Sequence, residues 1–192
     1  MEREILLSGI GGQGVQLASK SLATAAIKEG RNALMFGSYG GTMRGGDTDA
    51  TVVIATDRLM TPPVIDHAWS AVVMHPMSWP LVHAKLRPGG LVLINTGVFK
   101  EPVSYDGTIL ELDAASMSTA AGMPQAGSMV ALGAFIAATG IVSLDAVFAI
   151  SEEVLPPYRR KFAEANRTAL KMGFDAVPKP LAAAWDRQEQ FA

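Results

Sequence analysis

The fold class predicted for this chain is α/β: a three-layer α/β/α sandwich with a Rossmann-like, mostly parallel or mixed sheet, in a single domain with a C-terminal helical arm. Three features of the sequence predict it. Short continuous apolar runs suit strands covered on both faces. Helical stretches alternate with them through the first half. A glycine-rich turn joins the first run to the first helix. A length of 192 residues agrees with one ordinary domain. The body spans residues 1–176, and 177–192 reads as a tail or interface arm.

Ile5-Leu6-Leu7 is the first strand and runs straight into glycines. Gln13 to Glu29 follows as a helix, with Val15, Leu22 and Ala26 and the small Ala18, Ser19 and Ala25 along one side, and Gly30 as its stop. Arg31 to Ser38 stands where a second strand belongs, and Thr51-Val52-Val53-Ile54 and Ala71-Val72-Val73-Met74 read as further strands. Ser78 to Leu86 reads as a short helix with Pro80 in its first turn. A Pro88-Gly89-Gly90 turn then precedes the strand Leu91-Val92-Leu93-Ile94, which stops at Asn95, and Thr108 to Leu112 reads as an edge strand.

The C-terminal half is helical. Gly127 to Ala138 is rich in small residues, Leu144 to Ala149 has Ser143 as its N-cap, and a charged amphipathic helix runs from Tyr158 to Met172 and ends at Gly173. In the arm, Trp185 and Phe191 are apolar anchors that need something to pack on, in this chain or in another.

Sixteen Lys and Arg against 18 Asp and Glu give a net charge of −2, which offers no electrostatic basis for nucleic acid or an anionic membrane as the main partner. Charged residues make up only 18%, below the roughly 25% usual for soluble domains. So lean a surface points either to a large core or to area buried against another chain. With no cysteine, the chain cannot ligate an iron–sulfur cluster through thiolates, form a disulfide or use a thiol nucleophile. The stretch Ala126 to Val142 falls short of the ~20 apolar residues of a membrane span, and the expectation is a cytoplasmic protein.

The most informative element is Gly9-Ile10-Gly11-Gly12-Gln13-Gly14, after the first strand and at the mouth of the first helix. Glycines let the backbone turn sharply and bring N–H groups to a ligand, and a helix N-terminus adds partial positive charge, so the place suits a phosphate or pyrophosphate. The same glycines would also permit tight strand–helix packing with no ligand at all. A conventional NAD site needs a carboxylate about 20 residues further on. Arg31 to Ser38 has none, and no lysine follows the loop as a P-loop requires.

A second glycine-rich loop runs Ser38-Tyr39-Gly40-Gly41-Thr42-Met43-Arg44-Gly45-Gly46-Asp47-Thr48-Asp49. Its arginine presents a planar fork that holds phosphate or carboxylate bidentately, or that pairs with Asp47, Asp49 or a partner chain. The three histidines, His67, His75 and His83, are eight apart rather than three or four, which is no metal-site spacing. No nucleophile, base and oxyanion hole come together, so no catalytic residue is assigned.

Taken together, these segments resemble the gamma subunit, or gamma domain, of the 2-oxoacid:acceptor oxidoreductases. The blocks that carry the resemblance are Gly9 to Val15 with Ala18 and Leu22-Ala23, and Ser38-Tyr39-Gly40 with Arg44-Gly45-Gly46 and Ala50-Thr51-Val52. Leu86 to Gly90 before Asn95, Met129 to Ala134, and Asn166, Ala169-Leu170 and Gly173 add to them. The similarity covers about residues 4 to 174, and the order and spacing of the blocks make it specific. One departure is Gly41-Thr42-Met43, where relatives often hold a proline and an acidic or glutamine residue.

The resemblance implies a subunit of an enzyme that oxidatively decarboxylates a 2-oxoacid to an acyl-coenzyme A. It places thiamine diphosphate with magnesium, and iron–sulfur clusters, in alpha, beta and ferredoxin-like delta partners. This chain would then help bind coenzyme A and hold subunits together, and a homodimer of it within the complex follows from the family alone. The residues placed at the coenzyme are Gly9, then Gly11, Gly12, Gln13 and Gly14 through backbone N–H groups, Arg44 as counter-charge, and Ser38 and Thr42 as hydrogen-bond donors. The competing readings are a free-standing nucleotide-binding oxidoreductase and a purely structural subunit.

Overall fold

In the computed structural model, which describes residues 1–39, 46–62, 64–177 and 180–185, the first apolar run is the middle of β1 (Glu2–Ile10). The glycine turn leads into α1 (Val15–Lys28), and the chain returns as β2 (Asn32–Tyr39) and β3 (Asp47–Ala55). There follow β4 (Ala68–Val73), a 3-10 turn over Pro76–Ser78, α2 (Trp79–Lys85), β5 (Leu86–Asn95) and β6 (Thr108–Leu112). The remainder is α3 (Ala114–Ala120), α4 (Gly127–Thr139), α5 (Leu144–Ala149), a 3-10 turn over Pro157–Phe162 and α6 (Ala163–Asp175).

The strands lie in the order β2-β3-β1-β4-β5-β6. β1, β4, β5 and β6 are parallel, while β3 runs antiparallel between β1 and β2, so the sheet is mixed. Side chains alternate across it with a period of two. Ile5, Leu7, Val52, Ile54, Val72, Leu91 and Leu93 face the larger core, built with α1, α3, α4, α5 and α6. Leu6, Val53, Ala71, Val73, Val92 and Ile94 face a smaller core closed by Ile65, Val82 and Leu86. The sandwich therefore has three layers, with the helical mass on one face and α2 on the other.

All thirteen residues of α4 are buried, which explains a helix apolar on every side: it lies between the sheet and α6. No helix among the described residues is long and apolar enough to cross a membrane. The backbones of α4 and α6 touch at two glycines. A Cβ on Gly133 would collide with the carbonyl of Leu170, and one on Gly173 with the carbonyl of Val130. This corrects the helix read from Tyr158 to Gly173. The first part is a 3-10 turn, and Gly173 lies inside α6 as a contact point rather than as its end.

A second correction concerns the arm. Its described residues, 177 and 180–185, form no helix. Pro180 lacks an N–H, and the N–H groups after it serve another helix: Leu181 and Ala182 donate to the Ala138 carbonyl at 2.8 and 3.0 Å, and Ala184 donates to Thr139 at 2.8 Å. These carbonyls belong to the last turn of α4, where no intrahelical partner remains. Trp185 packs on this same chain, 2% exposed, with its indole N–H donating to the Ile141 carbonyl at 2.9 Å. Phe191 lies outside the described residues.

Candidate ligand site at the strand ends

The glycine turn is built as a ridge over the end of β1. Gly12 has φ 102° and Gly14 φ 80°, conformations that favour glycine, and Gly14 caps α1. A Cβ on Gly12 would meet nothing within 4 Å, so the crest of the turn faces open space. At Gly14 a Cβ would strike the Ser128 hydroxyl in the first turn of α4, so the N-termini of α1 and α4 converge here. Two converging N-termini add partial positive charge to a place already lined by backbone N–H groups.

The candidates differ in what remains available. Gly11 N–H donates to the Gly46 carbonyl at 2.9 Å, and Gln13 N–H donates to Ile10 at 3.1 Å. The Gln13 side chain accepts from Ile10 N–H at 2.9 Å and donates to the Met74 carbonyl at 3.2 Å. Gln13 is thus a brace between β1 and the end of β4. Gly9 is confined, because a Cβ there would meet the Gln13 amide and the Met74 side chain. That leaves Gly12 and Gly14 as the loop's candidate donors. Ser38 is exposed at the end of β2, on the same face as Ser8 and Asp49. Thr42 and Arg44 lie outside the described residues.

Asn95 ends a strand in the sequence, where it would either meet a ligand or cap backbone groups, and the structure shows the second. It is fully buried at the end of β5, donates to the Met74 carbonyl at 3.2 Å and accepts from Ala115 N–H at 3.2 Å. Gln13 and Asn95 therefore meet on one carbonyl and tie β1, β4, β5 and α3 together below the ridge.

The acids beside the loop have partners within the chain. Asp47 accepts from the Ser78 hydroxyl at 2.8 Å, and Asp49 accepts from the Ser8 hydroxyl. Burial pushes the Asp49 carboxyl above its usual range and the charge of Asp47 adds to this, against the opposing pull of Ser8 and Lys85. A group whose pKa is raised by folding supports the folded state below its unfolded pKa and loses that contribution as pH rises through the folded one. Asp49→Asn is therefore expected to melt higher than the parent at pH 7 and together with it at pH 3. Equal melting curves at pH 7 would show that burial imposes no cost on this carboxylate.

The topology also bears on a dinucleotide site. β3 separates β2 from β1, so a carboxylate at the end of β2 would stand two strands, about 10 Å, from the glycine turn. Among the described residues, no group of three His, Cys, Asp or Glu side chains could hold a metal. His75 accepts from Met77 N–H at 3.3 Å as the cap of a 3-10 turn, and the His83 ring lies 5.0 Å from that of Trp79.

The model of the pyruvate ferredoxin/flavodoxin oxidoreductase family matches residues 4–176. The "Pyruvate/ketoisovalerate oxidoreductases common subunit gamma" of Thermococcus kodakarensis is 31% identical over 180 residues, 90% of this chain and 95% of that one. The "Ketoisovalerate oxidoreductase subunit VorA" of Methanothermobacter marburgensis is 31% identical over 144 residues, 75% of this chain but only 30% of the longer relative. Among solved structures, the gamma subunit of a keto/oxoacid ferredoxin oxidoreductase from Geobacter sulfurreducens superimposes with a TM-score of 0.77 at 28% identity, covering 92% of this chain and 98% of its own.

Proposed function

The chain belongs to the pyruvate ferredoxin/flavodoxin oxidoreductase family, and from that premise we propose that it is the gamma subunit of a cytoplasmic, multi-subunit 2-oxoacid:acceptor oxidoreductase and helps bind and position coenzyme A. The observation that carries the coenzyme reading is the bond from Gly11 N–H to the Gly46 carbonyl, which joins the two glycine loops at one end of the sheet. Beside that bond lie the open crest at Gly12 and the N-termini of α1 and α4. Phosphates of the coenzyme would sit on Gly12 and Gly14, with Arg44 as their counter-charge.

The division of labour follows from residue chemistry. A cysteine-free chain has no thiolates for an iron–sulfur cluster, so the clusters are assigned to the delta-type partner and thiamine diphosphate with magnesium to the alpha and beta partners. This chain's own contribution is to hold the coenzyme so that its thiol meets the acyl group made next door, a matter of proximity and orientation. The Thermococcus relative, named as a subunit common to pyruvate and ketoisovalerate oxidoreductases, supports a gamma subunit that does not choose the oxoacid.

Native mass spectrometry of the tagged chain purified from its own cells tests the subunit reading: partner subunits co-purify, and a lone chain overturns it. In the assembled enzyme, Arg44→Ala is expected to raise the KM for coenzyme A about tenfold, as fits the loss of a charge-assisted bond, with the KM for the oxoacid unchanged. An unchanged KM for coenzyme A would remove Arg44 from the site.

A further inference from the structure

The first turns of α1 and α4 present N–H groups that no side chain caps. Gly14 and Ala126, at the two N-caps, have no side-chain acceptor, and neither first turn holds an acidic residue. The first N–H groups of a helix have no partner within it, so free donors gather at both ends. In α4 the Met129 and Val130 N–H groups turn back to the Ala126 carbonyl at 2.9 and 3.1 Å. Those of Gly127 and Ser128 are left without an acceptor among the described residues.

A buried hydroxyl stands between these two ends. Ser128 is 3% exposed, and its Oγ occupies the space that a Cβ on Gly14 would take, so it is aimed from the first turn of α4 at the start of α1. Other buried serines bond to their own turn: Ser19 donates to the Val15 carbonyl at 2.9 Å and Ser151 to that of Phe148 at 2.8 Å. The Ser128 hydroxyl has no such acceptor among the described residues. A hydroxyl buried without a partner costs free energy, which an acceptor from outside the chain would offset.

We propose that Ser128 is a phosphate ligand, its hydroxyl donating to a phosphate oxygen of the coenzyme held between the N-termini of α1 and α4. The inference rests on the coenzyme reading and adds a side chain of α4 to a site otherwise built from the two glycine loops. Charge selects the occupant: two helix N-termini carry partial positive charge and every free group here is a donor, so the place accepts an anion. Shape selects phosphate, whose tetrahedral oxygens accept from two helices and a hydroxyl at once, where a carboxylate has two oxygens in one plane. Ser128 also accounts for a demand at Gly14, which must lack a side chain for the hydroxyl to reach this position.

The test uses the full chain, inorganic pyrophosphate as the probe, and the variants Ser128→Ala and Ser151→Ala. By isothermal titration calorimetry the parent and Ser151→Ala are expected to bind pyrophosphate alike, and Ser128→Ala at least about tenfold more weakly, as fits a lost hydrogen bond to a charged group. Melting without the anion runs the other way. Ser128→Ala is expected to melt at or above the parent, since it removes an unpaired buried hydroxyl and brings in a better helix former. In the assembled enzyme it is expected to raise the KM for coenzyme A about tenfold and to leave the KM for the oxoacid unchanged. Equal pyrophosphate binding by Ser128→Ala, or a parent that binds none, overturns the proposal. A lower melting temperature for Ser128→Ala overturns it as well, because the hydroxyl would then have a partner inside the chain. So does an unchanged KM for coenzyme A, and if Arg44→Ala still raises that KM, the coenzyme reading stands without Ser128.

Discussion

Gly173→Ala is expected to destabilise this chain by about 3 kcal/mol, at the upper end for an overpacked core, and to lower Tm by on the order of 10 °C. The new methyl group would meet the carbonyl of Val130 and the N–H of Ala134, and backbone atoms cannot rotate away as a side chain would. Relief would require α4 and α6 to separate. α4 is held from the other side by the sheet, so it has nowhere to move, and Gly133 makes the reciprocal contact on Leu170 and Phe174. Gly127→Ala is the control. A Cβ there finds its nearest neighbour at 3.5 Å, and alanine favours helix, so this variant is expected to match or exceed the parent. Thermal unfolding by circular dichroism decides, and a Gly173→Ala Tm within two or three degrees of the parent would mean that the two helices do not approach so closely.

Trp185→Ala is expected to cost about 3–5 kcal/mol, the range for removing a buried large aromatic side chain. The indole is buried, donates to the Ile141 carbonyl, and has the Arg31 guanidinium 5.0 Å from its ring. Beside it, Arg3 donates from Nε to the Ala184 carbonyl at 2.6 Å. The strap formed by 180–185 satisfies the last carbonyls of α4, so losing its anchor uncovers those groups as well as apolar surface. Urea unfolding gives the size of the effect, and limited proteolysis reveals the strap by early cleavage between Val177 and Trp185. Trp185→Phe retains most of the buried area but not the donor, and its expected loss is about 1 kcal/mol. A Trp185→Ala variant as stable as the parent, with no new cleavage, would show that the arm is held by something else.

The strands and the first helix could be read in advance because their cause is local. Ile5-Leu6-Leu7 and Leu91 to Ile94 are apolar on consecutive residues because both faces of their strands are covered. Ser143 caps α5 through a bond to Ala146 N–H at 3.1 Å, a pattern contained in four residues. What escaped prediction depends on distant partners. Gly173 reads as a stop signal until α4 is brought against it, and the segment from Val177 reads as a tail or interface arm until the carbonyls of Ala138 and Thr139 are seen to need donors. β5 begins at Leu86, with Pro88 and Gly89 inside it, because its first residue pairs with Ala68 across a register shift. The short helix α3, mostly small and polar, carries little periodicity, and Asp113 capping Ser116 N–H at 2.9 Å was its only cue.

The site divides in the same way. The position of the glycine turn at the mouth of α1 is a property of adjacent residues, and the left-handed backbone at Gly12 and Gly14 accounts for the glycines. The work of Gln13 is invisible in the sequence, since its partner Met74 is 61 residues away. The bond from Ser8 to Asp49 likewise exists only once β1 and β3 are paired.

The central place of β1 in the sheet also sets a schedule for synthesis. It comes first in the chain, yet its two neighbours are β3 and β4, and the second of these is complete only at Val73. At roughly 5–20 residues per second, the ribosome needs several seconds to deliver both ladders. Hairpins close in about 1–10 μs, so the wait is set by translation and not by the chain's own motion. Throughout it Ile5, Leu6 and Leu7 have no permanent cover. The nascent polypeptide is most adhesive before β4 emerges, the interval in which a chaperone at the tunnel exit would have the most to protect.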